Sequence, residues 1–109
     1  MERSDRSALN DAMNRLWLHY LPRIEERVST LQAAAAALAD GTLTAAQCEQ
    51  ASSAAHNLAG VLGTFGLAEG TILAREAEAF YCIGPPIDSS VNSRLTEVAM
   101  QLRVLIADR

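Results

Sequence analysis

Apolar residues recur at alternating steps of four and three positions in three segments of the chain. This spacing places one apolar stripe along a helix and is typical of helices that pack nearly antiparallel in a bundle. The three stripes are Ile24, Val28, Leu31, Ala35 and Leu38; Ala51, Ala55, Leu58, Leu62 and Phe65; and Val91, Leu95, Val98, Leu102 and Leu105. No segment alternates with a period of two for long enough to predict a strand.

Helix-breaking and helix-capping residues divide this pattern into five predicted helices. Pro22 fits best in the first turn of a new helix, so the apolar segment around it is expected to break there. Thr44 with Gln47 three residues later has the form of a capping box, which indicates a helix start. The predicted helices cover about 6–20, 22–39, 45–65 and 68–82, with a fifth that is capped within 88–90 and reaches almost to the end.

These elements predict an all-α fold. Four helices joined by short connections form an antiparallel up-down-up-down four-helix bundle, preceded by a short N-terminal helix that covers one end. Trp17 and Tyr20 are expected in the core or at the end of the bundle. The length of 109 residues predicts a single domain over 1–109, either on its own or as a module of a larger protein.

Composition removes several classes of function. Thirteen acidic residues outnumber nine basic ones, and all nine are arginine, so the net charge is −4. Such a chain is a poor candidate for binding nucleic acid or an anionic membrane. The polar segment "MERSDRSALND" does not resemble a targeting sequence, and a cytoplasmic location is expected.

The chain has two cysteines, Cys48 and Cys82, which do not make a disulfide framework. They lie at opposite ends of the hairpin formed by the third and fourth predicted helices, so they are expected at one level of the bundle. A redox switch is one interpretation, and two small buried side chains are the other.

His56 is the residue that suggests chemistry. At about 100° per residue it lies about 140° from the mean direction of its helix's apolar stripe, so it should face solvent. The residues that share its side are small or polar: Glu49, Ser52, Ser53, Gly60 and Gly63, with Ala59 on the flank.

Gly60 and Gly63 need a reason, because each costs a helix about 1 kcal/mol relative to alanine. Close approach of a partner surface beside His56 would supply one. The alternative is that the helix simply ends at one of these glycines, although the apolar stripe continues to Phe65. His19 lies about 90° off its own stripe and has no such glycine-lined surface, so it is interpreted as an ordinary solvated histidine.

The segment "AHNLAGVLGTFG" resembles the motif of histidine-containing phosphotransfer (HPt) domains, Ala-His-x-Leu-Lys-Gly followed by a further glycine. Four residues match that motif in type and spacing, and Ala55 occupies the small position before the histidine. The matching residues are His56, Leu58, Gly60 and Gly66. The downstream "LAREAEAF" resembles the next helix of the family, and the family's four-helix bundle with a short extra helix covers nearly the whole chain.

One position departs from the family pattern. Ala59 stands where HPt domains usually have a lysine that neutralises the phosphoryl group, and the chain contains no lysine. Arg75 is a candidate substitute, because the neighbouring helix should pass the level of His56 at about residues 75–78. Arg75 could equally pair with Glu78 or Glu49 on the surface.

The resemblance implies a phosphoryl carrier of a two-component phosphorelay. His56 would be phosphorylated at Nε2 and would exchange the group with an aspartate on a response-regulator receiver domain or with a histidine kinase. The resemblance implies no cofactor of its own, with Mg²⁺ on the receiver and no independent catalytic site in this chain. Asn57, Ser52 and Ser53 are candidates for hydrogen bonds to the ring or phosphate, although plain solvation explains them as well.

Docking would use the helix around His56 and its neighbour. Val61 and Leu67 are candidates for partner contact or are ordinary core residues. The alternative function is a non-phosphorylated docking or dimerisation module, which Ala59 keeps open. A di-iron or zinc bundle is disfavoured, because His56 points outward and two separate histidines and two cysteines form no recognisable ligand set.

Overall fold

The computed structural model describes residues 2–109 and, within the first helix, the side chains from Arg6 onward. Four α-helices and one 3₁₀ turn make up this part of the chain, with no strand in residues 2–109. The helices are α1 (Glu2–Asp40), α2 (Ala45–Thr64), α3 (Ala68–Tyr81) and α4 (Asn92–Asp108), and the 3₁₀ turn is Ser89–Val91. The all-helical prediction is confirmed.

The predicted break at Pro22 is wrong. Residues 6–20 and 22–39 belong to one helix, α1, which runs through Pro22 for 39 residues, so no separate short N-terminal helix precedes the bundle. Proline has no N–H to donate to the carbonyl of Leu18, but both residues are exposed and water can reach that carbonyl. Trp17 and Ile24 are buried on either side of the proline, so packing against the core favours a helix that continues through it.

Each helix packs against two others, with α1 and α3 each in contact with α2 and α4. The apolar stripes predicted for α1 and α2 are buried at every position. In α4 the stripe is buried from Leu95 to Leu102, whereas Val91 and Leu105 are half-buried and Ile106 is buried instead. The spacing therefore identified the core-facing side of α1, α2 and α4.

The turn between α2 and α3 makes them an antiparallel hairpin. The helix α2 continues through Gly60 and Gly63, so the alternative of an early end at these glycines is wrong. It ends where Gly66 takes a φ of +77°, and the N–H of Leu67 donates to the carbonyl of Leu62 at 2.9 Å. This is a glycine-based helix cap. The up-down-up-down order of all four helices stays a prediction.

The start of α2 is closed by a capping box, and its end packs against aromatic residues of α1. Thr44 and Gln47 form the predicted capping box, with N–H to side-chain distances of 2.8 and 3.1 Å. Trp17 is buried and contacts Phe65 edge to face, with ring centroids 5.2 Å apart. Tyr20 lies at the margin of this cluster and is 43% exposed.

The cysteines differ from each other. Cys48 is buried and Cys82 is exposed, and both are free thiols. The interpretation of two buried cysteines is therefore right for Cys48 and wrong for Cys82. Burial raises the pKa of the Cys48 thiol, which keeps it in its unreactive protonated form.

Candidate functional site

His56 lies in the middle of α2 on the side turned away from the core. Its side chain is 74% exposed, whereas Ala55 and Leu58 beside it are completely buried. The outward direction predicted from the apolar stripe is confirmed. The capping box closes the start of α2, and its buried residues pack that helix against the core on the side opposite His56.

The neighbouring helix supplies a partner for the ring. Glu78 of α3 places Oε2 2.9 Å from Nδ1 of His56. An ionised carboxylate only accepts hydrogen bonds, so Nδ1 carries the proton in this contact. In the neutral ring Nε2 then holds the lone pair, and it has no hydrogen-bond partner within residues 6–109.

Glu78 was not identified as a site residue from the sequence. The hairpin register placed residues 75–78 at the level of His56, but only Arg75 was singled out there. The signal that could have identified Glu78 is its position on the side of α3 that faces α2, together with a carboxylate long enough to reach across.

The ring stands at the edge of a shallow pocket between α2 and α3. Seven residues line this pocket: His56, Ala59, Gly60, Arg75, Glu78, Ala79 and Cys82. The structure therefore brings four predicted site residues together, His56, Ala59, Gly60 and Arg75. Ala59 of α2 is 7% exposed, and its carbonyl accepts a hydrogen bond from Thr71 of α3.

Arg75 is the one basic side chain among the seven residues that line this pocket, apart from the histidine itself. In the described part of the chain no carboxylate lies within 4 Å of its guanidinium, so it pairs with neither Glu78 nor Glu49. The neighbouring Glu76 is instead bound by Arg94 of α4, with Nη2 2.7 Å from Oε1. This hydrogen bond lowers the pKa of the Glu76 carboxyl. Arg75 is thus available to an anion at the pocket.

The two glycines after His56 have different surroundings. Gly60 is exposed, and a Cβ added there would meet no atom within 4 Å. A Cβ at Gly63 would lie 3.2 Å from the hydroxyl of Thr71, which itself donates to the carbonyl of Ala59 at 2.9 Å. The close neighbour of Gly63 is therefore α3 of the same chain, while Gly60 leaves open surface beside the histidine.

The remaining predicted polar residues lie outside the pocket. Ser53 and Asn57 are exposed and Ser52 is half-buried. Among the described side chains none of these three hydrogen-bonds to the imidazole. Val61 and Leu67 are half-buried and pack against the core.

His19 has different surroundings, because the pocket beside it is formed by α1 and the end of α2 and includes Arg23 and Arg27. His19 is exposed on α1 and contacts the ring of Tyr20 edge to face, with centroids 5.3 Å apart. From Arg6 to the end of the chain, no carboxylate lies within 4 Å of its ring. His19 is therefore a suitable control residue for experiments on His56.

Across the described chain, no three His, Cys, Asp or Glu side chains are grouped so that they could hold a metal ion. None of the helices within residues 2–109 combines the length and apolar character that a membrane crossing needs.

Residues 15–107 match the family model of the Hpt domain, which is nearly the whole chain. The chain therefore belongs to the Hpt domain family. Hpt domains are helical bundles that take part in histidine phosphotransfer in two-component phosphorelays, where they interact with histidine kinases and response regulators. Comparison with curated proteins and with solved structures gives no match.

Proposed function

We propose that this chain carries a phosphoryl group on Nε2 of His56, to or from the aspartate of a response-regulator receiver domain. The observation that carries the proposal is the exposed imidazole whose Nδ1 is occupied by Glu78 and whose Nε2 is open to a partner. The membership in the Hpt family supplies the reaction class.

The reaction needs little from this chain beyond an accessible nucleophile. The lone pair of Nε2 attacks the phosphorus of the aspartyl phosphate, the N–P bond forms, and the P–O bond breaks with its electron pair going to the aspartate carboxylate. The attacking nitrogen must enter the receiver's site in line with the leaving oxygen, which requires the exposure of His56. The receiver supplies Mg²⁺, which offsets the charge of the phosphoryl group.

The pocket residues have supporting roles in this proposal. Arg75 supplies the positive charge that the family's lysine would supply at Ala59, from the neighbouring helix rather than from the same one. Gly60 has no side chain that could obstruct the surface beside His56, so that the receiver can approach the imidazole. Gly63 sets the contact between α2 and α3, and Ser52, Ser53 and Asn57 contribute polar surface around the ring.

The test is transfer from phosphorylated receiver domains of the same genome, followed with labelled phosphate. We expect acid-labile, base-stable label on the wild-type chain and on His19→Gln, and none on His56→Gln. Circular dichroism of each variant establishes that the bundle is folded. Label on His56→Gln would contradict the assignment of the residue.

The alternative is a docking or dimerisation module that is not phosphorylated, and Ala59 in place of the family's lysine is the observation that favours it. If no receiver or kinase labels the folded wild-type chain but one of them binds it, the docking module becomes the better description. In that case His56→Ala should leave the affinity for the partner within about twofold.

A further inference from the structure

We propose that α1 is an interaction surface for a second copy of this chain. The N-terminal part of α1 of each copy lies antiparallel to α1 of the other and enters the cleft between α1 and α2 there. The pairing does not rest on the proposed function, because none of the residues that line the pocket of His56 belongs to this cleft.

The first helix is much longer than the bundle to which it belongs. It has 39 residues, against 20, 14 and 17 in α2, α3 and α4. Its length of about 58 Å equals the long axis of the molecule, 57 Å. Arg109 after α4 reaches α1 at Asn14, and Phe65 after α2 contacts Trp17. Every side chain from Arg6 to Ala12 is exposed, so the first turns of α1 extend beyond the other helices.

This extension begins an apolar stripe. Leu9, Met13, Leu16 and Tyr20 follow one another at steps of four, three and four, which are the a and d positions of a heptad repeat. Leu9 is 63% exposed, Leu16 46% and Tyr20 43%, and Met13 is half-buried. A helix in water gains most of its stability from the packing of its apolar face. The stripe therefore favours a partner along the extension.

A cleft between α1 and the end of α2 continues the line of the stripe. Its volume is about 710 Å³. Apolar residues of both helices line it, with basic residues along its α1 side: Leu16, Tyr20, Val61 and Phe65, and His19, Arg23 and Arg27. Leu16 and Tyr20 belong to the stripe and to the cleft, so a helix that lies along the stripe also enters the cleft.

A two-fold axis makes the stripe complementary to itself. In one antiparallel register Leu9 faces Tyr20 of the second copy and Met13 faces Leu16, because Leu9 precedes Met13 by four residues as Leu16 precedes Tyr20. Symmetry repeats both contacts, so all four residues of the stripe gain an apolar partner. Each extension ends in the cleft of the other copy, and the interface closes on two chains.

The size of the contact also fits a dimer. Pairing in this register runs from residue 2 to residue 27, which is about 39 Å of helix, and the end of α2 adds to it. Specific interfaces bury roughly 800 Å² on each partner, and a paired strip of this length is of that order.

The charges along the extension are mixed, with Arg6, Asp11 and Arg15 within residues 6–16. They favour a partner that is itself of mixed charge over a strongly acidic or strongly basic one. One level opposes the pairing, because Arg6 faces Arg23 of the second copy in this register. That repulsion limits the affinity and provides a test of the register.

The first experiment is sedimentation equilibrium of the isolated chain at concentrations up to about 1 mM. We expect a reversible equilibrium of monomer and dimer, and Leu9→Glu should weaken the dimer about tenfold, because it puts a charge in an apolar contact. The matched control is Leu18→Glu. Leu18 is 65% exposed on the same helix but lies about 170° from the mean direction of the stripe, so this variant should dimerise like the wild type. Circular dichroism establishes that both variants are folded.

The second experiment tests the register. Arg6→Glu should tighten the dimer about fivefold, because a repulsive level becomes attractive. Arg15→Glu makes the same change of charge about 130° from the stripe and should have no such effect. In a Cys82→Ala background, oxidation of Leu9→Cys/Tyr20→Cys should give a covalent dimer, and Leu18→Cys/Tyr20→Cys should not.

Two results overturn the proposal. A wild-type chain that stays monomeric at about 1 mM leaves the stripe to a different protein. A dimer that Leu9→Glu and Leu18→Glu weaken equally uses another surface. His56→Gln should dimerise like the wild type, so a failure of phosphotransfer and a failure of dimerisation are separate outcomes.

Discussion

Gly60 lies about one turn after His56, on the exposed side of α2. Space for a side chain exists there, because a Cβ would contact nothing within 4 Å. The packing of the bundle therefore does not require glycine at this position, although glycine weakens the helix by about 1 kcal/mol relative to alanine. The open surface beside the histidine is what a larger residue would remove.

Substitution of Gly60 should thus separate stability from function. Gly60→Ala is expected to raise the free energy of unfolding by about 0.5–1 kcal/mol, because alanine favours the helix and the space is empty. Gly60→Leu is expected to remain folded and to lower the rate of phosphotransfer at least tenfold, by obstructing the receiver. Urea unfolding and single-turnover transfer measure the two effects, and unfolding of the bundle by Gly60→Leu would sink this explanation.

At the scale of residues, the sequence predicted which way a side chain points better than it predicted which side chain it contacts. The outward orientation of His56 followed from the spacing of the buried stripe on its own helix, which is local information. Its hydrogen bond to Glu78 joins residues 22 positions apart and depends on how α2 and α3 align, which no local pattern encodes. Arg75 forms no ion pair with the side chains of residues 6–109, which depends on the same alignment, and three possible roles for it therefore stayed open in the sequence.

The hairpin of α2 and α3 is the element that builds the site, and Gly70 sets its width. Gly70 is buried, and a Cβ there would lie 2.8 Å from Cδ1 of Leu62. The two helices approach closely at this point, and the next residue, Thr71, donates its hydroxyl to the carbonyl of Ala59. From the sequence this glycine was only one of several breakers between residues 60 and 70.

Gly70→Ala should therefore destabilise the hairpin, in contrast to Gly60→Ala. Leu62 is completely buried and can give way only by disturbing the core, so we expect a loss of about 1–3 kcal/mol in the free energy of unfolding. Chemical denaturation of the two alanine variants side by side tests this. A Gly70→Ala variant as stable as the wild type would mean that the helices can separate without cost.

At the scale of elements, capping chemistry and apolar spacing predicted α2 and α3 to within a residue or two at their ends. The error at Pro22 has a physical cause. Proline removes one backbone hydrogen bond, but Trp17 and Ile24 are buried on the two sides of it, and burial of such side chains outweighs that loss. Tertiary packing thus keeps this segment as one helix, although its local sequence indicated two.

The whole molecule measures 57 × 20 × 19 Å and has one core that runs through the four helices. Tyr81 lies in this core and is 2% exposed, and its hydroxyl has no hydrogen-bond partner in the part of the chain that the structure describes. Burial raises the pKa of Tyr81 to about 12, and a negative charge on the nearby Cys48, once that thiol ionises at alkaline pH, acts in the same direction. The fold therefore favours the neutral phenol.

This burial predicts that the whole bundle loses stability at alkaline pH. The unfolded chain releases the Tyr81 proton near pH 10 and the folded chain near pH 12, so the contribution is complete below pH 10 and is lost as the pH rises to 12. Between pH 8 and pH 11 the expected loss is about 1.4 kcal/mol. Tyr81→Phe should be at least as stable as the wild type at pH 8 and should lack this part of the loss.

Urea unfolding at pH 8 and pH 11 checks the prediction, with the exposed Tyr20→Phe as the control that keeps the wild-type response. Some alkaline loss should remain in Tyr81→Phe, because burial also raises the pKa of Cys48. The same alkaline loss in Tyr81→Phe and wild type would contradict the assignment to Tyr81. The sequence predicted a helical bundle with a core, but not which polar atom that core would enclose.

The antiparallel hairpin determines where the chain tolerates insertions and deletions. A residue added at the turn between α2 and α3 lengthens a loop and leaves the faces of both helices in place. A residue added within α3 between Thr71 and Glu78 rotates everything after it by about 100°, which would carry the carboxylate away from the histidine or the apolar stripe away from the core. Insertions and deletions in related sequences should therefore occur at the turn between α2 and α3 and be rare between Thr71 and Glu78.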